Sequence, residues 1–276
     1  MNLSLKSKIF IYIILIFLSF YALFPVLWMI ITSLKYSDEV FKIPITWIPE
    51  RITFTNYLNI WKIQPLGRYF LNSIIASVST VILTIIVGSM AAYAFARFRL
   101  KIKELILSII LITQMIPGVL LIIPYFNLMR YLNLLNSYPA LILAYTAGTL
   151  PVVIWMLRGY FSSIPKEIDD AASIDGCSRF GVFFRIILPL SIPSLISTGI
   201  FVFLVSWSEY LFPLVLMTNK KMFVLTVGIS SLIGQYRISW NELMAAGIIA
   251  ILPIVLIFVF LDRFLIEGLT RGATIE

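Results

Sequence analysis

Six stretches of the chain carry no charged residue and are long enough to cross a lipid bilayer. The hydrocarbon core of a bilayer is about 30 Å thick, which an α-helix crosses in about 20 residues. The pattern therefore predicts an all-α integral membrane protein with six transmembrane helices. The predicted spans are Ile9–Leu34, Tyr69–Ala96, Leu105–Met129, Tyr138–Leu157, Ile186–Ser208 and Leu243–Leu261.

Prolines lie within or beside these apolar stretches, where they would break or kink a membrane helix. Such breaks are tolerated where neighbouring protein or a cavity surrounds the freed backbone groups. The spans are therefore more typical of the wall of a pathway than of a simple anchor. The prolines concerned are Pro117, Pro124, Pro151, Pro189, Pro193, Pro213 and Pro253.

The composition agrees with a membrane protein and narrows its chemistry. Of the 276 residues 61% are hydrophobic and 12% are charged, against about 25% charged residues in soluble domains. The net charge of +8 does not indicate a nucleic-acid partner, because basic residues at the cytoplasmic ends of membrane helices explain it. A single cysteine excludes an internal disulfide, and the lack of histidine removes the commonest metal ligand and proton carrier.

Lysine and arginine residues cluster on one side of the predicted spans. Because basic residues in short loops mark the cytoplasmic side, both termini are predicted to be cytoplasmic. Two long connections, Lys35–Arg68 and about Thr218–Glu242, then lie on the opposite side. The basic clusters are Lys6 and Lys8, then Arg97, Arg99, Lys101 and Lys103, then Arg158, Lys166, Arg179 and Arg185, and finally Arg263 and Arg271.

A few polar and aromatic side chains fall within or at the ends of the spans, where they are candidates for a solute pathway. An ionisable residue at membrane depth is costly and usually faces a cavity or a partner. The alternative places the aromatic rings in the interfacial belt of the bilayer, and Glu209 either within its span or at the outer interface. The candidates are Gln114, Tyr145, Trp207, Glu209 and Tyr210.

The most polar segment, EIDDAASIDGCSRF, lies between the fourth and fifth spans. Ser163 and Pro165 suit the start of a helix, which is predicted over Lys166–Asp175. Gly176 would end it, because glycine adopts the left-handed conformation cheaply. Ser178 would cap a second helix that runs until Pro189.

The aspartates of this segment raise the alternative of a metal site. Their sequence is similar to the Asp-Asp-x-x-Asp motif of intramembrane prenyltransferases, which bind magnesium diphosphate. Here Asp175 follows Asp170 by five residues and Asp169 by six, so their carboxylates point roughly 100–140° apart on an intact helix. They cannot converge on one ion, and the sequence has no second aspartate-rich motif. Such an enzyme is therefore disfavoured.

The helix itself is amphipathic, which favours docking. Ile164, Ile168, Ala171 and Asp175 share one stripe, with Ala172 beside it, and small alanines allow a helix to seat closely in a groove. The opposite side, with Asp169 and Asp170, is then predicted to face water. The alternative is a loop helix that lies on lipid headgroups.

The same segment resembles the EAA loop of type I ABC importer permeases, whose pattern is Glu-Ala-Ala-x-x-x-Gly with a downstream proline. Asp170 stands at the family's glutamate, Ala171 and Ala172 at the alanines, Asp175 and Gly176 at the Asp-Gly, and Pro189 at the proline. Nearly the whole chain is similar to the smaller permease subunit of maltose-transporter-type carbohydrate importers. The motifs RYFLNSIIAS, AAYAFARF, MIPGVLLIIPYFNLMRYLNLLNS, SWSEYLFPLVL and FLIEGLTRGA carry this resemblance in order. The chain departs from the family at Asp170, Cys177 and Ser208 and in its last residues.

The resemblance implies the type I ABC importer fold and a non-catalytic transport role. The loop would be a coupling helix that sits in a cleft of a cytoplasmic ATPase and transmits ATP-driven closure to the pore. The implied division is a first helix with its outer connection over 1–68, a five-helix core over 69–262 that contains the coupling loop 161–188, and a cytoplasmic tail over 263–276. The sequence lacks the Gly-x-x-x-x-Gly-Lys-[Ser/Thr] phosphate loop, so ATP is not expected to bind here by that device.

The implied partners are a homologous second permease, two ABC ATPases that carry ATP and Mg, and an extracellular solute-binding protein, which would dock on the two long outer connections. The implied setting is the lipid of a prokaryotic plasma membrane. The implied solute is a sugar or oligosaccharide, although relatives also carry molecules like glycerol phosphate. An ion- or proton-coupled carrier or a channel remains the alternative, although few carboxylates lie in the spans to relay protons.

Overall fold

The computed structural model of the chain describes residues 4–98, 101–234 and 238–270. Arg99 and Arg271, which contributed to the predicted orientation, lie outside these residues, as do residues 235–237 of the second long connection and the end of the predicted tail. The chain divides into two compact units, residues 1–67 with 228–252 and residues 68–227 with 253–276.

The first unit is built on helix α1, Leu5–Ser33, which starts at a cap where the Ser4 side chain accepts a hydrogen bond from the Ser7 amide. Its 29 residues extend about 43 Å at 1.5 Å per residue, more than the bilayer core requires. A structured segment then leads to α2, Thr55–Ile63, and α13, Trp240–Thr270, begins in the same unit.

The second unit contains most of the remaining helices, and its long helix α6 packs against α10. Near α7, its core includes apolar side chains from α3, α6, α7 and α10. The helices in chain order are α3 Leu66–Arg97, α4 Lys103–Ile112, α5 Gly118–Tyr131, α6 Tyr138–Ser163, α7 Lys166–Ile174, α8 Arg179–Val182, α9 Leu188–Leu190, α10 Ile192–Ser208, α11 Leu211–Leu216 and α12 Leu225–Ser230.

Four of the predicted spans are confirmed as single helices long and apolar enough to cross a membrane. They are Leu5–Ser33, Leu66–Arg97, Tyr138–Ser163 and Trp240–Asp262. The third and fifth predicted spans are each a bent pair of helices, so the described residues provide four crossings, or six if each bent pair crosses once. The all-helical membrane architecture therefore agrees with the sequence, and two of the predicted spans are broken within their length.

A proline lies at each of the two bends. The third span turns by 99° between Met115 and Gly118, where Ile116 is extended, as expected for a residue that precedes a proline. The fifth span turns by 78° at Ser191. There Pro193 has no N–H to donate to the carbonyl of Pro189, and both the amide and the hydroxyl of Ser191 donate to the carbonyl of Ile187, at 3.0 and 2.7 Å.

Close packing between α3 and α6 depends on a small residue. A Cβ atom placed on Gly88 would lie 2.6 Å from Cγ1 of Val153, which is far inside van der Waals contact. The two helices therefore approach more closely at this point than any side chain on residue 88 would allow, as small residues permit in membrane bundles.

Candidate docking segment and solute pathway

The polar segment forms α7 and a sharp turn behind it, as predicted. The amide of Asp175 donates to the carbonyl of Ala171 at 3.0 Å, and the amide of Cys177 donates to the carbonyl of Ala172 at 3.0 Å. Gly176 has a φ of +84°, in the left-handed region that favours glycine. A Cβ there would meet no atom within 4 Å, so the backbone conformation, not space, requires glycine.

The start of α7 differs from the prediction that Ser163 caps it. Ser163 is the last residue of α6, and its hydroxyl donates to the carbonyl of Tyr160 at 2.7 Å. Ile164 is extended before Pro165, which occupies the cap position without a side-chain hydrogen bond. Ser163 therefore ends α6 and does not cap α7.

The second helix of the segment begins at Ser178, as predicted. The Ser178 hydroxyl accepts a hydrogen bond from the Gly181 amide at 3.2 Å. After α8 the backbone passes through a π-helical turn, Phe183–Ile187, before α9. Pro189 lies in α9, one residue before the last, and α9 leads to the bend at Ser191. The segment thus joins the polar turn directly to the broken fifth span.

A buried ion pair, which the sequence did not reveal, fastens α7 to the end of α3. Nε of Arg97 lies 2.7 Å from Oδ2 of Asp169, and the two side chains are 5% and 16% exposed. Nη2 of Arg97 also donates to Oδ1 of Asp169 at 3.3 Å, and Nη1 donates to the carbonyl of Ile164 at 3.0 Å. The Tyr93 hydroxyl donates to Oδ2 of Asp169 at 3.4 Å. In the sequence, Arg97 is one of the basic residues that predict the cytoplasmic side. No rule of residue spacing links it to Asp169, which lies 72 positions away.

This pairing determines which side of α7 packs against the rest of the second unit. Ala172 is buried against the core formed by side chains such as Tyr160 and Phe161, whereas Ala171 is exposed. The prediction that Asp169 faces water was therefore wrong, because this side chain has a largely buried arginine partner, which a helical wheel cannot show. Ala171, which was predicted to seat in the groove of a partner, is exposed, and its docking stays a prediction.

The free side of the segment carries the other residues assigned to docking. Asp170, Ala171, Asp175 and Gly176 are all exposed. Ile174, at the end of α7 between Ser173 and Asp175, is 86% exposed. This side thus presents small and apolar groups together with two carboxylates.

Two of the five pathway candidates are buried. Trp207 stacks on Phe203 with ring centroids 5.5 Å apart and meets the edge of Phe70 at 5.4 Å. Tyr145 lies in a core cluster with Ala76 and other apolar residues. Both side chains therefore shape the interior of the second unit.

The other three candidates have accessible polar atoms. Nε2 of Gln114 donates to the carbonyl of Gly148 at 3.2 Å, and the side chain is exposed at the bend of the third span. Glu209 lies at the break between α10 and α11, where Oε1 accepts hydrogen bonds from the amides of Tyr210, Leu211 and Phe212 at 3.1, 2.8 and 3.3 Å. A carboxylate is favourable at such a helix start. Tyr210 is exposed beside it.

Within the described residues, no group of three or more aspartate, glutamate or cysteine side chains is placed to hold a metal ion.

The sequence matches the family described as "Binding-protein-dependent transport system inner membrane component" over residues 84–271, which is more than half of the chain. The chain therefore belongs to this family of ABC importer permeases. The permease is thus the membrane component of a transport system that works with a solute-binding protein. It is a transport subunit and not an enzyme, because the ATPase of such importers is a separate subunit.

Individual relatives match nearly the whole permease. The sulfoquinovosyl glycerol transport system permease protein SmoH of Agrobacterium fabrum is 40% identical over 250 residues, 91% of this permease and 88% of SmoH. The trehalose/maltose transport system permease protein MalG of Thermococcus litoralis is 35% identical over 261 residues, 94% of this permease and 93% of MalG.

A solved structure shares the fold. A chain of a bacterial ABC transporter involved in the import of the acidic polysaccharide alginate superposes with a TM-score of 0.79 at 20% identity, over 95% of the permease and 99% of that chain. The predicted type I ABC importer fold is confirmed.

Proposed function

We propose that the permease forms half of the translocation pore of an ATP-driven importer for sugars or oligosaccharides. The sugar assignment is supported by the relatives, whose names refer to sulfoquinovosyl glycerol, arabinooligosaccharides, diacetylchitobiose and trehalose/maltose. In this proposal the segment 161–188 couples the pore to a cytoplasmic ATPase. Its proposed coupling residues are Asp170, Ala171, Ala172, Asp175 and Gly176, with Pro189 at the link to the fifth span.

The Arg97–Asp169 ion pair is the observation that most supports coupling through this segment. It holds α7 to the end of α3 through charge-assisted hydrogen bonds, which are stronger than neutral ones. Because α3 is a membrane helix of 32 residues, any displacement of α7 would also move a wall of the pore. A loop helix that only rested on lipid headgroups would not require this attachment.

The exposed side of α7 is suited to a protein socket. Ile174 offers an apolar tip, and Asp170 and Asp175 offer charges at its rim, in the usual arrangement of an apolar centre and a polar border. Ala172, on the buried side, would contribute by letting α7 seat closely on its own core.

The remaining partners and the location follow from the family. The proposed importer contains a second, homologous permease, two ATPases that bind ATP and Mg, and an extracellular solute-binding protein, in the plasma membrane of a prokaryote. The termini are proposed to be cytoplasmic. The proposed division of the chain is 1–68, the core 69–262 and the tail 263–276. No cofactor is proposed for the permease itself.

For the solute, we assign hydrogen bonding to Gln114, Glu209 and Tyr210, whose polar atoms are accessible, and wall-forming roles to Tyr145 and Trp207. Carboxylate, amide and phenol groups suit the hydroxyls of a sugar. A thermal-shift screen of the solute-binding protein against a sugar panel would identify the solute. Stabilisation by sugars supports the assignment, and stabilisation only by non-sugar solutes would overturn it.

The test of the importer itself is reconstitution. A tag on this chain should recover the second permease and an ATPase from detergent-solubilised membranes, and the complex in liposomes should take up solute only with internal ATP and external binding protein. Uptake by this chain alone, driven by an ion gradient without ATP, would instead show a secondary carrier or a channel.

A further inference from the structure

The connection between α1 and α3, residues 34–65, exposes large apolar side chains over much of its length. We call it the first connection. Ile43 is 92% exposed and Ile48 is 78% exposed, and Ile45, Trp47, Leu58 and Trp61 are each close to half exposed or more. Apolar surface of this extent usually marks contact with a membrane or another protein.

Three polar side chains of the first connection, Lys35, Glu39 and Asn56, lie inside it. Lys35 is 2% exposed, donates to the Thr46 carbonyl and lies 5.1 Å from the ring centre of Trp28. Asn56, at the start of α2, donates to the carbonyls of Ser33 and Lys35 at 2.8 Å each. With polar groups inside and apolar groups outside, the connection is arranged opposite to a loop that water surrounds.

Glu39 is a third internal polar group. Oε1 accepts hydrogen bonds from the Thr46 hydroxyl at 2.9 Å and from the Glu50 amide at 2.8 Å. Desolvation alone would raise its pKa, but these hydrogen bonds and the charge of Lys35 outweigh it and hold the pKa of Glu39 below its usual value. An ionised carboxylate therefore ties together the two ends of the segment that carries the exposed isoleucines.

Four of the five exposed charged residues of the connection are paired with each other, and the fifth, Lys62, lies on α2. Lys42 pairs with Glu50, and Arg51 pairs with Asp38 at 3.0 Å. Paired charges beside tryptophans are typical of the headgroup level of a membrane, where tryptophan rings concentrate.

The depth of the segment follows from its contact with α1. The rings of Trp47 and Trp28 meet edge to face with centroids 5.5 Å apart, and Trp28 precedes the end of α1 at Ser33 by five residues, or about 7 Å of helix rise. The chain therefore turns back along the last turns of a membrane-spanning helix. Amphipathic elements in a membrane interface lie at a similar depth of about 5–10 Å.

We propose that the first connection is itself embedded in the surface of the bilayer. Ile45, Trp47 and Ile48 lie among the upper acyl chains next to α1, and Leu58 and Trp61 turn the outer side of α2 to the same lipid. The apolar surface is continuous with that of α1, whose side chains in the same unit are exposed along its length. In this proposal lipid covers the first connection, which the sequence analysis expected to bind the solute-binding protein. The proposal depends on α1 crossing the membrane and not on the coupling mechanism.

Spin labels test the proposal in the complete complex in liposomes. Single cysteines replace Ile48 or Leu58 in a Cys177→Ser background, with Phe17→Cys, at an exposed position on α1, as the lipid reference. Lys220→Cys, in an exposed polar turn of the second unit, is the water reference. The nitroxide collision rates with oxygen and with a nickel chelate are then compared.

At Ile48 and Leu58 we expect oxygen to be favoured over the nickel chelate, as at Phe17, whereas Lys220 shows the reverse. Nickel accessibility at both sites equal to that at Lys220 would overturn the proposal in favour of a water-exposed loop. Shielding from both reagents would overturn it in favour of a protein partner.

Discussion

Removal of one member of the Arg97–Asp169 pair should detach α7 from α3. In Arg97→Ala the carboxylate of Asp169, which is 16% exposed, loses its charged partner, and the carbonyl of Ile164 loses a donor. Breaking a buried ion pair in this way costs about 3–5 kcal/mol. That cost corresponds to a roughly 10²–10⁴-fold increase in local opening at about 1.4 kcal/mol per tenfold change.

Hydrogen exchange measures this opening directly. The amides of Asp175 and Cys177 are held by hydrogen bonds within α7 and its turn, so their exchange should accelerate by that factor in Arg97→Ala. The double variant Arg97→Ala/Asp169→Ala should recover part of the protection, because neither charge is then buried alone. In liposomes, Arg97→Ala should also lower uptake per ATP hydrolysed.

The matched control is the ion pair between Arg158 and Glu104, at 2.9 Å with Glu104 74% exposed. Exposed pairs contribute about 0–1 kcal/mol, so Arg158→Ala should change exchange at the carboxyl end of α6 by about fivefold at most. If Arg97→Ala accelerated amide exchange in α7 as little as Arg158→Ala accelerates it at the end of α6, the conclusion that Asp169 anchors α7 would be refuted.

Two further predictions concern other parts of the permease. Because the pKa of Glu39 is lowered in the folded protein, its contribution to stability is complete above its ordinary pKa of about 4.3 and is lost as the pH falls through the lower folded value. The melting temperature of Glu39→Gln should lack this loss at acid pH. The same dependence of the melting temperature on pH in Glu39→Gln and in the unchanged permease would contradict the assignment. Gly88→Ala should destabilise by about 1–3 kcal/mol because its Cβ would overlap Val153, and adding Val153→Ala should restore part of the melting temperature, whereas no rescue would show that α3 and α6 are not in close contact there.

The membrane architecture could be predicted from the sequence because apolar run length is a direct physical requirement of the bilayer. The turn at Gly176 and the cap at Ser178 were also predictable, since each depends on backbone chemistry within a few residues. The bends at Ile116 and Ser191 had a visible cause in the nearby prolines. Prolines inside other helices, such as Pro151 in α6, produce no comparable break, so proline alone does not determine where a span bends.

What could not be predicted depends on contacts between distant parts of the chain. The inward position of Asp169 follows from Arg97, and the inward position of Lys35 and Asn56 follows from the fold of the first connection. Helical wheels place polar residues toward water, and they fail where a buried partner or a lipid surface reverses that preference. The roles of Gln114, Tyr145, Trp207, Glu209 and Tyr210 in solute transport stay predictions.

The central claim is that α7 and its turn transmit force between the pore and an ATPase. The most direct test is solute-stimulated ATP hydrolysis by the assembled complex that carries Gly176→Val. Valine at a φ of +84° is strongly disfavoured, since the left-handed conformation costs an ordinary residue about 1–2 kcal/mol and a β-branched one more. Gly159→Val is the control, because a Cβ there also meets no atom within 4 Å and no left-handed backbone is required.

We predict that the Gly176→Val complex assembles and retains basal ATP hydrolysis but loses stimulation by the loaded binding protein, whereas Gly159→Val keeps it. Full stimulation and transport by Gly176→Val would contradict the assignment of this segment as the coupling element.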